Sequence, residues 1–438
     1  MIPLGPGPIE EAEDARSLAV LRAHGYRVED IQSLARNQQA FAVRIPERTC
    51  QIAPGASFLT KSMGLGQGSF TNAYTLRIAM DQVRTQAISR TDGFHLRDLV
   101  GADGVFAAVS GSFSFISDDP SYQPAEPCLD FCCRNGAVMS LPTVSKPAFL
   151  VHHGQATIGM LKAAGTLRVQ GQAFRWVGSK EPHPVGRYDP AVLTVFGAAN
   201  CRVRYTDDPR TGFMRDVDAA TNITPPDTAA VDAVVSWIPH DGHRVTAVHP
   251  GGGADLFAGN FVLRASRAQA AHLRVGATVE ITQIGALDVR ALASGLSTGP
   301  SVATAAAGRC RGYDQCLGTD PFRDTRYART LIALHGRELR FQVLDGAPLS
   351  TTFRGVTPAE TADLCAREGL DPQHVYHLDG GASSKIAFTS GDTAEVAGSM
   401  HYLRWPRSSG EPFRWQGLDG RVLRSAFTIS TGRPEGTK

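Results

Sequence analysis

From Ala73 onward the chain is written in short apolar runs, each cut off by Gly, Pro or Asp before it could wind into a long helix. "GVFAAVSGSFSFI", "KPAFLVHHGQATIG", "AVLTVFGA", "DAVVSWI", "RVTAVH", "NFVLRAS" and "ATVEITQI" are the clearest of them. Their β-branched and aromatic residues suit a pleated, half-buried surface, and the punctuation suits turns. Strands spaced this closely, with no long helices between them, argue for mostly antiparallel sheets. Helical signals are few. "EEAEDARSLAVLRAHGYRVEDIQSLARN" reads as one or two short helices, the first ending at Gly25, and "SRAQAAHLRVG" reads as another. In "GVTPAETADLCAREGL", Thr357 fits an N-cap and Pro358 the first helical position. Glu360 completes a capping box, and Gly369 ends that helix. The expected fold class is α+β, mostly antiparallel β-sheets with a few packed helices.

The same reading divides the chain. Residues 1–72 form an expected N-terminal extension of helix and loop, with "GASFLTKSMGLGQGSF" as a Gly- and Ser-rich loop. Residues 73–432 form one domain, and 433–438 a flexible tail. At 438 residues the chain can bury a large core, and 42% hydrophobic with 20% charged residues fits a globular protein. A formal net charge of +2 gives no field that would favour nucleic acid or an anionic membrane. No apolar run approaches the roughly 20 residues of a membrane span, and the acidic start lacks a secretory core, so the expectation is cytoplasmic with reduced thiols. Cys128, Cys132 and Cys133 cluster, and Cys310 and Cys316 are paired in sequence, but neither group has zinc-site spacing. Free thiols are the ordinary reading and a local disulfide the other. His152-His153 and the histidines of "IPHDGHRV" read as surface residues. No cofactor motif is present, no metal ligands are assigned, and a need for a divalent cation stays open.

Three short motifs carry chemistry. In "HVYHLDGGASS" a strand ends on Asp379 and runs into Gly380, Gly381, Ser383 and Ser384. Consecutive glycines can expose backbone N–H groups as an anion nest, the serines add hydroxyls, and Asp379 sets a carboxylate at the rim. The plain alternative is an Asp-Gly turn. In "YARTLIAL", Arg329 and Thr330 head an apolar strand inside the expected hairpin joined at His335-Gly336. A guanidinium there must meet solvent, an acid or a bound anion, because an unpaired buried charge is prohibitively costly. In "AAVSGSFSF", Ser110, Gly111 and Ser112 interrupt a strand, as a bulge or a close backbone approach would.

Taken in order, these motifs resemble the phosphodiester glycosidase family, of the N-acetylglucosamine-1-phosphodiester type, as a divergent bacterial member would. "FAAVSGSFSF" stands where that family has an Asn-Gly-Gly-Phe-Phe-like segment, and "YARTLIAL" where it has Pro-Arg-Thr-Ala-Ile-Gly. "HLDGGASS" matches its Leu-Asp-Gly-Gly-Gly-Ser-Ser, and "GRVLRSAFTIS" its late Glu-Arg-Pro-Val. Departures are Ser110 for asparagine, Ser112 for glycine, Ala328 for proline and Gly420 for glutamate. The resemblance implies hydrolysis of a small-molecule sugar-1-phosphodiester to free sugar and a phosphomonoester, as in specialised-metabolite biosynthesis. It implies catalytic roles for Asp379 and Arg329, with Glu360 as the second nearby carboxylate, although the capping box already accounts for Glu360. Thr330, Gly380, Gly381, Ser383, Ser384, Ser110, Gly111 and Arg421 are the implied phosphate and substrate contacts. The rival expectation is a non-catalytic module that binds a phosphorylated saccharide or cell-wall polymer. Oligomeric state is left open.

Overall fold

The computed structural model describes residues 41–114, 124–181, 192–201, 203–206, 214–217, 222–308, 326–347, 350–398, 403–404, 414–415 and 422–432. Strands dominate. The first sheet has six, in the order Arg48–Ala53, Ala56–Gly66, Ser69–Ala79, Glu338–Leu344, Arg329–His335 and Val375–His377, all antiparallel. A second, five-stranded sheet runs Thr393–Ala397, Ile386–Ser390, Val105–Ser110, Leu423–Thr431 and Val83–Phe94. A third runs Ala137–Ser140, Cys132–Arg134, Leu292–Ser297, Lys146–His152 and Gln155–Leu161. A fourth sheet closes into a barrel of seven strands, Ala164–Val169, Gln172–Gly178, Val192–Phe196, Phe261–Ser266, Ala230–Ile238, Gly242–Pro250 and Thr278–Ile284, and the described residues also include two short two-stranded hairpins. Pairing of Thr278–Ile284 back onto Ala164–Val169 closes it, and only the contact between Gln172–Gly178 and Val192–Phe196 is parallel.

The two largest apolar cores follow from this layout. One fills the barrel around Trp176, Leu167, Val195 and Phe261. The other joins the three sheets, where Phe427 meets Phe149 and Phe341 at ring separations of 5.3 Å. Such aromatic contacts add about 0.5–1.5 kcal/mol each beyond the area they bury. The helix Pro358–Arg367 lays Leu364 and Cys365 against Leu331, Leu344 and Val375 of the first sheet.

The α+β expectation is overturned. Among the described residues there are only two α-helices, Val302–Ala306 and Pro358–Arg367, so the fold is mostly β. "SRAQAAHLRVG" forms no more than the 3-10 turn Ala270–His272, none of whose residues is buried. Helix-forming composition without an apolar stripe to bury does not hold a helix together. The boundary expected after residue 72 falls inside the strand Ser69–Ala79. "GASFLTKSMGLGQGSF" is a hairpin, not a loop, and its glycines serve the turn, where Gly66, Gln67 and Gly68 all have positive φ. The expected helices before residue 41 and the tail 433–438 lie outside the described residues. Among the described residues no helix is long and apolar enough to cross a membrane.

Candidate functional site

The Asp379 corner is where the chain passes from the first sheet to the second. His377 pairs with Leu331, and the ladder continues one step as Leu378 N–H donates to the Thr330 carbonyl (2.8 Å). Asp379 N–H then donates to the Gly111 carbonyl (3.0 Å), at the end of Val105–Ser110 in the other sheet. Gly381 takes φ 60° and the chain makes the 3-10 turn Gly381–Ser383, then enters Ile386–Ser390 beside Val105–Ser110. The opposite wall needs glycine too. A Cβ on Gly111 would lie 2.7–2.9 Å from Ser425 and Ala426, so only glycine lets these strands approach.

The hydroxyls divide from the charges. Ser110 Oγ meets Thr330 Oγ1 at 3.3 Å, and Thr330 Oγ1 donates to Ser384 Oγ at 3.1 Å. All three residues are at most 1% exposed. They tie the two sheets together from inside, so the hydroxyls that the resemblance implies as substrate contacts lie buried between the sheets. Ser112 is buried as well, its carbonyl accepting from Ser425 Oγ at 2.6 Å. The backbone nest is also displaced from its expected place. Gly381 N–H is already committed to the Ala328 carbonyl (2.8 Å). Among the described residues, the N–H groups of Gly380 and Ala382 are the ones in this turn that make no hydrogen bond.

Strand alternation puts Arg329 on the face of the first sheet shared by Leu331, and therefore by its partner His377. Arg329 is half-buried, donates from Nε to the Val356 carbonyl (3.2 Å) and lies 5.9 Å from the centre of the Tyr327 ring. Asp379 and Gly380 are half-exposed at the rim, and a Cβ on Gly381 would reach ordinary contact with Tyr327 at 3.7 Å. Asp379, Gly380, Arg329 and Tyr327 are thus the accessible part of the corner. Glu360 already has partners of its own. Its carboxylate closes the capping box on Thr357 and pairs with Arg326 at 2.6 Å. Arg421 lies outside the described residues.

Sequence reasoning missed two buried groups here. His377 is held neutral, its pKa lowered to about 3 by burial and then by the charge of Arg329, and its Nε2 has no partner. Lys385, next to the serine pair, is fully buried. Ser383 Oγ is a second buried polar atom without a partner. A tyrosine two residues before an arginine, and a histidine two before the aspartate, were the available signals. His243 also departs from expectation: it is buried between Trp237 and Phe261, not on the surface.

No protein-family profile matches the chain, and no curated protein does. Among solved structures, a hypothetical protein from Synechocystis is similar with a TM-score of 0.53 at 14% identity, over 89% of this chain and 64% of its own length. The chain thus spans less than two thirds of that protein. A proposed exported protein of Burkholderia pseudomallei K96243 is similar with a TM-score of 0.50 at 18% identity, over 84% of this chain and 75% of its own. At such identities the likeness is one of fold. The zebrafish N-acetylglucosamine-1-phosphodiester alpha-N-acetylglucosaminidase catalytic domain, auto-inhibited by its pro-peptide, aligns over 91% of this chain and 93% of its own at 9% identity and a TM-score of 0.33.

Proposed function

We propose that the Asp379 corner hydrolyses the glycosidic bond of a sugar-1-phosphodiester, giving free sugar and a phosphomonoester. The observation that carries this is the meeting of the half-exposed Asp379 carboxylate, the unbonded Gly380 N–H and the Arg329 strand at one junction of two sheets. Phosphate is a good leaving group, so departure asks less for a proton than for stabilisation of growing negative charge. Arg329 and the Gly380 N–H are the groups for that. Asp379 stabilises the oxocarbenium-like centre or activates water. The Tyr327 ring beside Gly381 offers an apolar face to a sugar ring. The motif order along the sequence supports the same chemistry.

A second reading, a module that binds phosphorylated saccharide without turnover, is favoured by one observation. The serine standing where the resembled family has asparagine is sealed between the sheets. Release of sugar and phosphomonoester from methyl-phospho-sugars and UDP-sugars separates the two. Asp379→Asn is expected to lower kcat by about 100-fold or more at unchanged Tm, the usual scale for a positioned acid–base group. Arg329→Ala is expected to raise KM and lower kcat together. Tight binding by the wild-type chain without any turnover replaces hydrolysis with the binding reading, and wild-type rates in both variants remove this corner from either.

A further inference from the structure

Loop residues 124–131 and the strand Cys132–Arg134 carry a polar cluster that the Asp379 corner does not use. Glu126, Cys128 and Cys132 are all buried, and each offers a ligand atom within 4.8 Å of the other two. Both thiols are free. Glu126 accepts from Ser89 Oγ and from Cys128 N–H (3.0 Å). Among the described residues Glu126 has no ion-pair partner. Arg134 acts on it only through space, because its guanidinium donates to the Ser89 carbonyl at 2.6 Å.

A buried carboxylate without a cation costs several kcal/mol if it stays ionised, by the general penalty for a desolvated charge. Packed against two thiols, it leaves three strong donors facing one point and no positive charge among them. Zinc–sulfur bonds of about 2.3 Å in a tetrahedron hold two sulfurs about 3.8 Å apart, inside the observed spread. We propose that Glu126, Cys128 and Cys132 hold a thiophilic divalent cation, Zn2+ fitting best, with Ser89 Oγ at the fourth position. Binding releases both thiol protons to solvent, so affinity falls as pH falls.

With no solvent-facing position the centre is structural, not catalytic. Ser89 belongs to Val83–Phe94 of the second sheet, and Cys132 to the third sheet. Cys128 bridges to Ser114, three residues beyond Gly111. The ion would staple two sheets behind the strand that forms one wall of the Asp379 corner. Sequence spacing hid the set because three residues separate Cys128 from Cys132, and Glu126, not a second pair of cysteines, completes it.

The test is Co2+ and Zn2+ loading of the reduced full-length chain. The expected result is one ion per chain, a thiolate-to-cobalt charge-transfer band in the near ultraviolet, and a Tm that rises with Zn2+. Cys128→Ser and Cys132→Ser should each abolish the band and weaken binding by more than about 100-fold, at or beyond the loss typical of a supporting residue. Cys133→Ser, whose sulfur lies in the barrel-side core, and Cys310→Ser should keep it. Should the serine variants not fold, the wild-type spectrum with the Cys310→Ser control still decides. A wild-type chain with no retained ion and no band overturns the proposal. So does a band lost in Cys310→Ser, or a non-reduced mass lower by two hydrogens at a Cys128–Cys132 disulfide.

Discussion

At the scale of single residues, the sequence singles out Asp379 and Arg329 by residue type and motif, and the structure places both half-buried at one junction of two sheets, while the state of their neighbours was not legible. No one-dimensional pattern says that the hydroxyls of Ser110, Thr330 and Ser384 turn inward to one another, because that depends on two sheets meeting. His377 and His243 were equally hidden, and they carry a pH prediction. Their pKa values are lowered to about 3 and about 4, chiefly by burial, from the ordinary 6.5. Above pH 6.5 both are neutral folded or unfolded and contribute no pH dependence. As pH falls from 6.5 toward 4 the unfolded chain takes up protons that the folded chain refuses, so stability is lost across that window. The loss is on the order of a few kcal/mol for the pair, since each tenfold drop in proton affinity is worth about 1.4 kcal/mol. Urea unfolding between pH 7 and 4 should show it, and His377→Gln should flatten the slope. A slope unchanged by that substitution would mean that His377 is not the buried neutral group.

Elements were legible where their ends carry chemistry. The capping box of Thr357 and Glu360, Pro358 at the start and positive φ at Gly369 are all present in the helix Pro358–Arg367. The expected hairpin is also present, although its two-residue turn is Gly336-Arg337 rather than His335-Gly336. The hairpin of Ala56–Gly66 and Ser69–Ala79 was missed because serines and glycines on its half-exposed face mask the alternation. Glu360 illustrates how an element can explain a residue that a motif search would place in a site. Its carboxylate answers the Thr357 N–H at 2.9 Å and pairs with Arg326. Glu360→Gln should therefore lower stability by about 0.5–2 kcal/mol, as loss of a cap does, and leave kcat within about twofold. Thr357→Ala should cost about the same. Thermal melts and the sugar-release assay, run on the same samples, check both. A 100-fold loss of kcat in Glu360→Gln at unchanged Tm would return Glu360 to the chemistry.

The whole molecule was the least legible scale, because closing a barrel depends on pairings such as Thr166 with Gln283 that lie far apart in the chain. The alternating runs announce strands but not which strand returns to which. What fixes the barrel polar side is a pair no sequence window contains. Arg264 donates to Asp232 through Nε at 2.7 Å and through a terminal nitrogen at 2.8 Å, with both side chains at most 1% exposed. Thr224 also donates to Asp232, and the Arg264 guanidinium lies over the Phe196 ring at 5.0 Å. A planar fork satisfied on both sides is the geometry that makes a buried pair tolerable. Removing one partner leaves the other charge uncompensated, so Arg264→Leu should destabilise the fold by about 3–5 kcal/mol. Arg264→Leu combined with Asp232→Leu removes both charges and should recover much of that loss, a coupling expected only of groups in direct contact. Neither residue belongs to the Asp379 corner, so the kinetics of whatever fraction stays folded should match the wild type. Denaturant midpoints across the full double-mutant cycle measure the coupling. Additive losses would show that the pair is not the lock on the barrel, and a change in KM would show that the barrel reaches the corner after all.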